Sequence, residues 1–96
     1  MEVVWSDRAI EDLRSADDWY MTNAGAVVRD KFRENIDTCI NFISLNPQAA
    51  RQVFEVKTYE LREYVMQKYP YIIAYMVKLE NITIVAFLHQ SRHIEY

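Results

Sequence analysis

Two almost uninterrupted apolar segments near the C-terminus constrain this chain of 96 residues more than any other feature. They span residues 71–77 and 82–88, and only the four residues 78–81 separate them. Segments of this length that are rich in β-branched and aromatic side chains are typical of strands. Because a strand that is apolar on both sides needs cover on both sides, we expect the first segment to be a central strand of a sheet.

Two further β-prone segments precede them, at residues 52–56 and 60–66. The four segments are joined by short connections at residues 57–58, 67–68 and 78–81. Parallel neighbours would need crossovers of a dozen or more residues, so these connections predict antiparallel pairing. Pro70 is compatible with this arrangement, since a strand can start where no amide donor is needed.

The N-terminal half predicts a short strand at residues 2–5 and then a helix for which Ser6 is the N-cap. The only glycine, Gly25, lies in the stretch 22–25, and it predicts the tight turn of an αα-hairpin. The first helix is expected to run to about Met21, and the second to end at Asn46 and Pro47. The apolar positions of the two helices are Ile10, Leu13, Ala16 or Asp17, and Tyr20, and then Val28, Phe32, Ile36, Cys39, Ile40 and Ile43.

The predicted fold is therefore α+β, a single domain over residues 1–96 in the order β-α-α-β-β-β-β. The helical hairpin packs on one face of a small antiparallel sheet. Alternation within the strands assigns Leu61, Val65, Ile82, Ile84, Ala86 and Leu88 to the helices, and Arg62, Tyr64, Met66, Thr83, Val85, Phe87 and His89 to the opposite face. Either Tyr71, Ile73, Tyr75 and Val77, or Ile72, Ala74 and Met76, share that opposite face. Trp5 and Trp19 are expected in the core or at its margin.

An exposed sheet face that carries aromatic and methionine side chains beside Arg62 and His89 is typical of a docking groove. The alternative is a concave face that the C-terminal tail partly fills. Tyrosine side chains suit either arrangement, because the ring packs while the hydroxyl stays wet. Composition and periodicity leave both alternatives open.

Charge and cysteine content exclude several classes of function. The net charge is −3 without a concentrated basic surface, so strong direct binding of nucleic acid is not expected. The lone Cys39 lies in a helical apolar stripe, which predicts a core position, no disulfide, and a reducing compartment. With neither a signal peptide nor an apolar run of about 18 residues, we expect a cytoplasmic protein without membrane contact, metal or cofactor.

Several motifs resemble a known family when they are taken in order. They are VVWSDRAIEDL at the N-terminus, LNPQAAR after the second helix, LREYVMQKYPYIIAYMV, and ITIVAFLHQSR near the C-terminus. Together they cover almost the whole chain and are similar to the RelE/ParE superfamily, the small toxins of bacterial type II toxin–antitoxin pairs. The ending LHQSR resembles the ParE side more closely. The fold of that family is similar to the order predicted above.

The resemblance implies a growth-inhibiting toxin of a plasmid-stabilisation or stress system, neutralised by a cognate antitoxin. ParE-like members inhibit DNA gyrase, which is the favoured function. RelE-like members instead cleave messenger RNA on the ribosome, and a third possibility is a degenerate module that still binds antitoxin but is not toxic. Whether the chain is an enzyme therefore stays open.

The site residues depend on the same alternatives. If the chain is a nuclease, Arg62, His89 and Arg92 are the candidate catalytic residues, with Glu63 or Glu55 as a possible base. The strand assignment places Glu63 on the face away from Arg62 and His89. The predicted contacts with an antitoxin or target are Arg62, Tyr64, Tyr71, Tyr75, His89 and Arg92.

Overall fold

The computed structural model describes residues 1–91 of the chain. Its elements follow the predicted order of one strand, two helices and four strands. They are β1 (Val3–Trp5), α1 (Asp7–Ala24), α2 (Ala26–Leu45), β2 (Arg51–Glu55), β3 (Tyr59–Val65), β4 (Tyr71–Lys78) and β5 (Ile82–His89). The α+β prediction is confirmed.

The five strands form one mixed sheet in the order β1-β5-β4-β3-β2, in which β4 is central. Pairing along the chain from β2 to β5 is antiparallel, as the short connections predict. The expectation of a purely antiparallel sheet is wrong, because β1 pairs with β5 in parallel, with Val3 opposite Ile82. The length of a connection constrains the direction only of strands that follow one another in the chain. Since two helices and three strands lie between β1 and β5, no short connection forces these two to be antiparallel.

The helical hairpin has the predicted caps but a shorter turn. The Ser6 hydroxyl accepts a hydrogen bond from the Ala9 amide (3.1 Å) at the start of α1. At the other end α1 continues to Ala24, and only Gly25 separates the helices. Gly25 has φ 87°, a conformation that disfavours other residues, and its amide donates to the Tyr20 carbonyl (3.0 Å). Asn46 caps α2, as expected.

A charged pair joins the two helices near their middle. Arg33 donates two hydrogen bonds to the Asp17 carboxylate, from Nε at 2.6 Å and from an Nη atom at 2.8 Å. Arg29 approaches the same carboxylate at 3.5 Å. The hydrogen bond from Arg33 is the main reason why the pKa of Asp17 lies below its usual value, against an opposing effect of burial.

The core lies between the hairpin and one face of the sheet. From α2 it contains Phe32, Ile36, Cys39 and Ile43, which confirms most of the predicted stripe and the buried position of Cys39. Val28, which was predicted on the same stripe, is 37% exposed. Trp5 packs against this core as expected. Trp19 does not belong to it, because its side chain is 56% exposed.

The predicted faces of β3 need correction, and of the two alternatives for β4 the one that turns Ile72, Ala74 and Met76 away from the helices holds. Arg62 and Tyr64 lie opposite Tyr75 and Ile73, and Met66 packs in the same core, so these side chains are on the helix-covered face. Leu61 lies opposite Met76 on the other face. Both faces of β3 carry apolar residues, so alternation alone could not decide its orientation.

The prediction for β5 is right for its first half only. Tyr75 pairs with Ile84 and Ala74 with Ala86, so Val85 is an extra residue that forms a β-bulge. Ile82 and Ile84 face the helices, as expected. After the bulge the alternation reverses, which brings Phe87 to the helices and Leu88 to the opposite face.

Candidate functional site

The predicted site residues fall in separate parts of the molecule. Arg62 and Tyr75 lie beside the α2–β2 connection, whereas Tyr71 and His89 lie side by side where β4 begins and β5 ends. Tyr75 follows Tyr71 by four positions, which is roughly 13 Å along a strand. Arg92 lies outside the described residues.

Arg62 is a buried anchor for the α2–β2 connection. One Nη atom donates to the carbonyls of Gln48 (2.9 Å) and Ala50 (2.7 Å), the other donates to Gln52 (3.1 Å), and Nε donates to Glu60 (2.9 Å). Glu60 is therefore the ion-pair partner of Arg62. With 9% of its surface exposed, the guanidinium satisfies carbonyl groups that would otherwise be buried without donors.

Tyr75 supports the same connection. Its hydroxyl donates to the Pro47 carbonyl (2.8 Å), and the residue has no exposed surface. Burial raises the pKa of its phenol. We call Arg62, Glu60 and Tyr75, with the connection 46–50 that they hold, the loop anchor.

A cleft of about 480 Å³ opens between α1, the start of β4 and the end of β5. Polar and aromatic side chains line it, among them Asp12, Ser15, Trp19, Tyr71, His89 and Ser91. Its aromatic floor is well packed, since Tyr71 stacks on Phe87 with ring centroids 4.9 Å apart. Trp19 meets Tyr20 edge to face at 5.2 Å and leaves much of its indole in solvent.

His89 lies half-buried at the rim of the cleft, with its ring edge-on to Tyr71 at 5.3 Å. Its Nδ1 accepts the Ser91 backbone amide (3.1 Å) and lies 2.8 Å from the Ser91 hydroxyl. This bonding assigns the proton of the neutral ring to Nε2. In that tautomer Nε2 is a hydrogen-bond donor at the rim.

The remaining candidates are divided between the two faces. Tyr64 is half-buried, its ring lies 5.8 Å from Phe42, and burial raises its pKa. Glu63 lies opposite Ala74 on the face away from the helices, where it pairs with Arg51. This confirms the expectation that Glu63 points away from Arg62 and His89.

The geometry does not assemble the nuclease candidates. Arg62 and His89 share the helix-covered face, but Arg62 lies opposite Tyr75 and His89 opposite Tyr71, with β4 between them. Base and cation would have to meet at one scissile phosphate, and four residues of strand keep them roughly 13 Å apart along the sheet. The contact roles of Arg62, Tyr64, Tyr71, Tyr75 and His89 stay predictions.

Among the cleft residues that were not predicted as part of a site are Asp12 and Trp19. A signal was present, because Asp12, Ser15 and Trp19 recur at intervals of three and four and so share one side of a helix. A tryptophan within such a polar stripe points away from the core. The signal was weak because an amphipathic helix has such a polar stripe whether or not the stripe lines a site.

Two kinds of feature are absent from residues 1–91. Nowhere in this part of the chain do three or more His, Cys, Asp or Glu side chains gather in a group that could hold a metal ion. Neither described helix is long and apolar enough to cross a membrane.

The hairpin-on-sheet fold and the sequence motifs define the chain as a toxin of the RelE/ParE superfamily, on the ParE side. The family model described as the ParE toxin of the type II toxin–antitoxin system parDE matches residues 3–94, so the chain belongs to this family. A solved structure titled "Chromosomal ParDE TA system from P. aeruginosa" is similar, with a TM-score of 0.75. The two chains are 22% identical, and the match covers 93% of this chain and 95% of the other. No curated protein matches the sequence.

Proposed function

We propose that this protein is a cytoplasmic ParE-like toxin that inhibits DNA gyrase and is neutralised by a cognate antitoxin. Membership of the ParE toxin family over residues 3–94 is the observation that carries the proposal. In this function the chain acts by binding its target, without bond-breaking chemistry of its own. The cleft around Trp19 and His89 is the proposed surface for the target.

The burial of Arg62 supports a binding function over ribonuclease activity. A nuclease needs a cation that faces the developing negative charge of the scissile phosphate. The Arg62 guanidinium is buried against the carbonyls of Gln48 and Ala50 and the carboxylate of Glu60. Exposing it to a phosphate would take this donor from both carbonyls and break the ion pair with Glu60, at a cost of about 1–3 kcal/mol for each buried group left unsatisfied.

The cleft has the composition of a protein-binding surface. Trp19 offers a large, partly exposed ring, and aromatic side chains of this kind dominate binding energy at protein interfaces. The polar rim with Asp12, Ser15 and His89 can supply directional hydrogen bonds. Among the described lining residues the one carboxylate is Asp12, whose negative charge does not attract a phosphate backbone.

Controlled expression in a bacterial host, followed by assays on purified protein, tests the proposal. We expect growth arrest and a loss of supercoiling by purified gyrase, while ribosome-bound messages stay intact. Co-expression of the antitoxin encoded beside the gene should restore growth. Cleaved messages with normal supercoiling would replace this proposal by the RelE-like function, and normal growth would favour the non-toxic module.

His89→Ala, with Gln90→Ala as its matched control, locates the contact surface. His89 lines the cleft, whereas the adjacent Gln90 is exposed and contributes a backbone hydrogen bond to Pro70 that the substitution keeps. We expect His89→Ala to weaken gyrase inhibition about tenfold and Gln90→Ala to leave it unchanged. Equal inhibition by both variants would exclude His89 as a target contact.

A further inference from the structure

One acidic side chain of α1 contacts the C-terminal part of β5. β1 runs beside β5 only from Ile82 to Ile84, so no described strand continues along that edge of β5. Backbone amides that point to such an edge need another acceptor. Asp12 provides one, because its Oδ2 accepts the Phe87 amide at 3.0 Å across 75 residues of sequence.

Two more hydrogen bonds fasten the start of α1 to the same part of β5. The Ser6 amide donates to the Ile84 carbonyl (2.9 Å), and the Ser6 hydroxyl donates to the Val85 carbonyl (3.4 Å). The two bonds from Ser6 reach β5 just before the bulge and at the bulge, whereas Asp12 bonds to Phe87 after it. Asp12 thus acts on the segment where the alternation of β5 has already reversed.

The reversal decides where His89 lies. Without the bulge, regular alternation through Val85 would place Phe87 and His89 on the face opposite to Ile84. With it, the Phe87 ring packs on Tyr71 and His89 meets the edge of the same tyrosine. The side of the sheet on which His89 appears is therefore a property of the bulge.

We propose that Asp12 is a positioning residue, which holds the bulged end of β5 so that His89 faces the cleft. Its carboxylate is largely covered, with 20% of the side chain exposed, and Arg8 lies 3.7 Å from the same oxygen. A bond to an ionised acceptor is roughly twice as strong as a neutral one, and this one is partly shielded from water. The importance of this role for toxicity rests on the proposed function; the positioning itself does not.

Three variants of the full-length chain test the positioning by NMR. Asp12→Ala removes the acceptor, Asp12→Asn keeps a weaker neutral one, and Asp18→Ala is the control because Asp18 is an exposed acid on the same helix. We expect amide exchange at Phe87 to rise about tenfold in Asp12→Ala and about threefold in Asp12→Asn, relative to Ile84. The nuclear Overhauser contact between the His89 and Tyr71 rings should disappear in Asp12→Ala only.

Slow exchange at Phe87 and an intact contact between His89 and Tyr71 in Asp12→Ala would overturn the proposal. If that variant does not fold, Asp12→Asn decides: an unchanged exchange rate at Phe87 refutes the positioning, and a selective rise supports it. Growth assays are read separately. A non-toxic parent protein would refute the proposed function while the NMR result still establishes what Asp12 does.

Discussion

The loop anchor and the cleft lie roughly 13 Å apart along the same face of the sheet, yet they use polar side chains in opposite ways. At the anchor, Arg62 and Tyr75 direct their donors to carbonyl groups of the connection 46–50 and lose nearly all contact with solvent. At the cleft, Trp19 and His89 keep a solvent-exposed side. Tyr71 and Tyr75 are both buried by the protein's own helices. Buried polar groups that are satisfied within the chain stabilise a fold, whereas partly exposed ones remain available to a partner.

The largest expected effect belongs to the anchor. Arg62→Ala should lower the free energy of unfolding by about 3 kcal/mol, because it removes the cation paired with Glu60 and the donor to two buried carbonyls. Urea unfolding of the purified variants measures this difference. Arg51→Ala is the control, since that side chain is 75% exposed and its pair with Glu63 is expected to contribute less than about 1 kcal/mol. A variant at Arg62 that is fully stable but no longer toxic would reverse the comparison and make Arg62 a contact residue.

An intermediate effect is expected for the pair between the helices, where Asp17 is covered but Arg33 is 57% exposed. Asp17→Asn should cost about 1–2 kcal/mol at pH 7. Since Arg33 lowers the pKa of Asp17 in the folded state, the pair contributes fully above the usual value of 3.8. That contribution is lost as the pH falls through the lowered pKa of the folded state.

Urea unfolding of Asp17→Asn and the parent protein at several pH values tests this dependence. The difference between them should shrink as the solution is acidified below pH 3.8, the usual Asp pKa. Asp18→Asn is the matched control, because its exposed carboxylate makes no ion pair with any residue of the described chain. It should change stability by less than about 0.5 kcal/mol. A difference for Asp17→Asn that persists unchanged in acid would argue against the charged pair as its source.

The smallest effect on stability is expected in the cleft. Trp19→Ala should cost less than about 1 kcal/mol of folding free energy, because the indole is already largely in water. The same change should weaken gyrase inhibition about fivefold or more, as a partly exposed aromatic anchor would. Phe42→Ala is the control, since Phe42 is 42% exposed on α2 and does not line the cleft. If Trp19→Ala destabilises the protein strongly and leaves inhibition intact, the cleft is structural like the anchor.

Most of the architecture could be predicted, and the errors have definite causes. Ser6, Gly25 and Asn46 act within a few residues of themselves, so the boundaries they set were close to those observed. The orientation of β3 was wrong because both of its sides carry apolar residues and pairing with β4 decides between them. The bulge at Val85 could not be predicted either, since no glycine or proline marks it.

The candidate site was less predictable than the fold. His89 was identified from its motif, but the face on which it lies depends on the bulge and on the bond between Asp12 and Phe87. Arg62 was identified as the lone base of its strand, and its burial depends on the connection 46–50 closing over it. Both the face of His89 and the burial of Arg62 depend on hydrogen bonds between residues that are far apart in the sequence.

By itself, the sequence determined the order of elements, the hairpin turn, the buried stripe of α2 and the family, because these depend on short-range periodicity, caps and motifs. Only the tertiary structure decided which face each strand presents, that β1 closes the sheet in parallel, and that Arg62 points inward while Trp19 points outward. The physical reason is that strand orientation and polar burial are set by hydrogen bonds between residues far apart in the chain. The separation of the loop anchor from the cleft follows from those bonds.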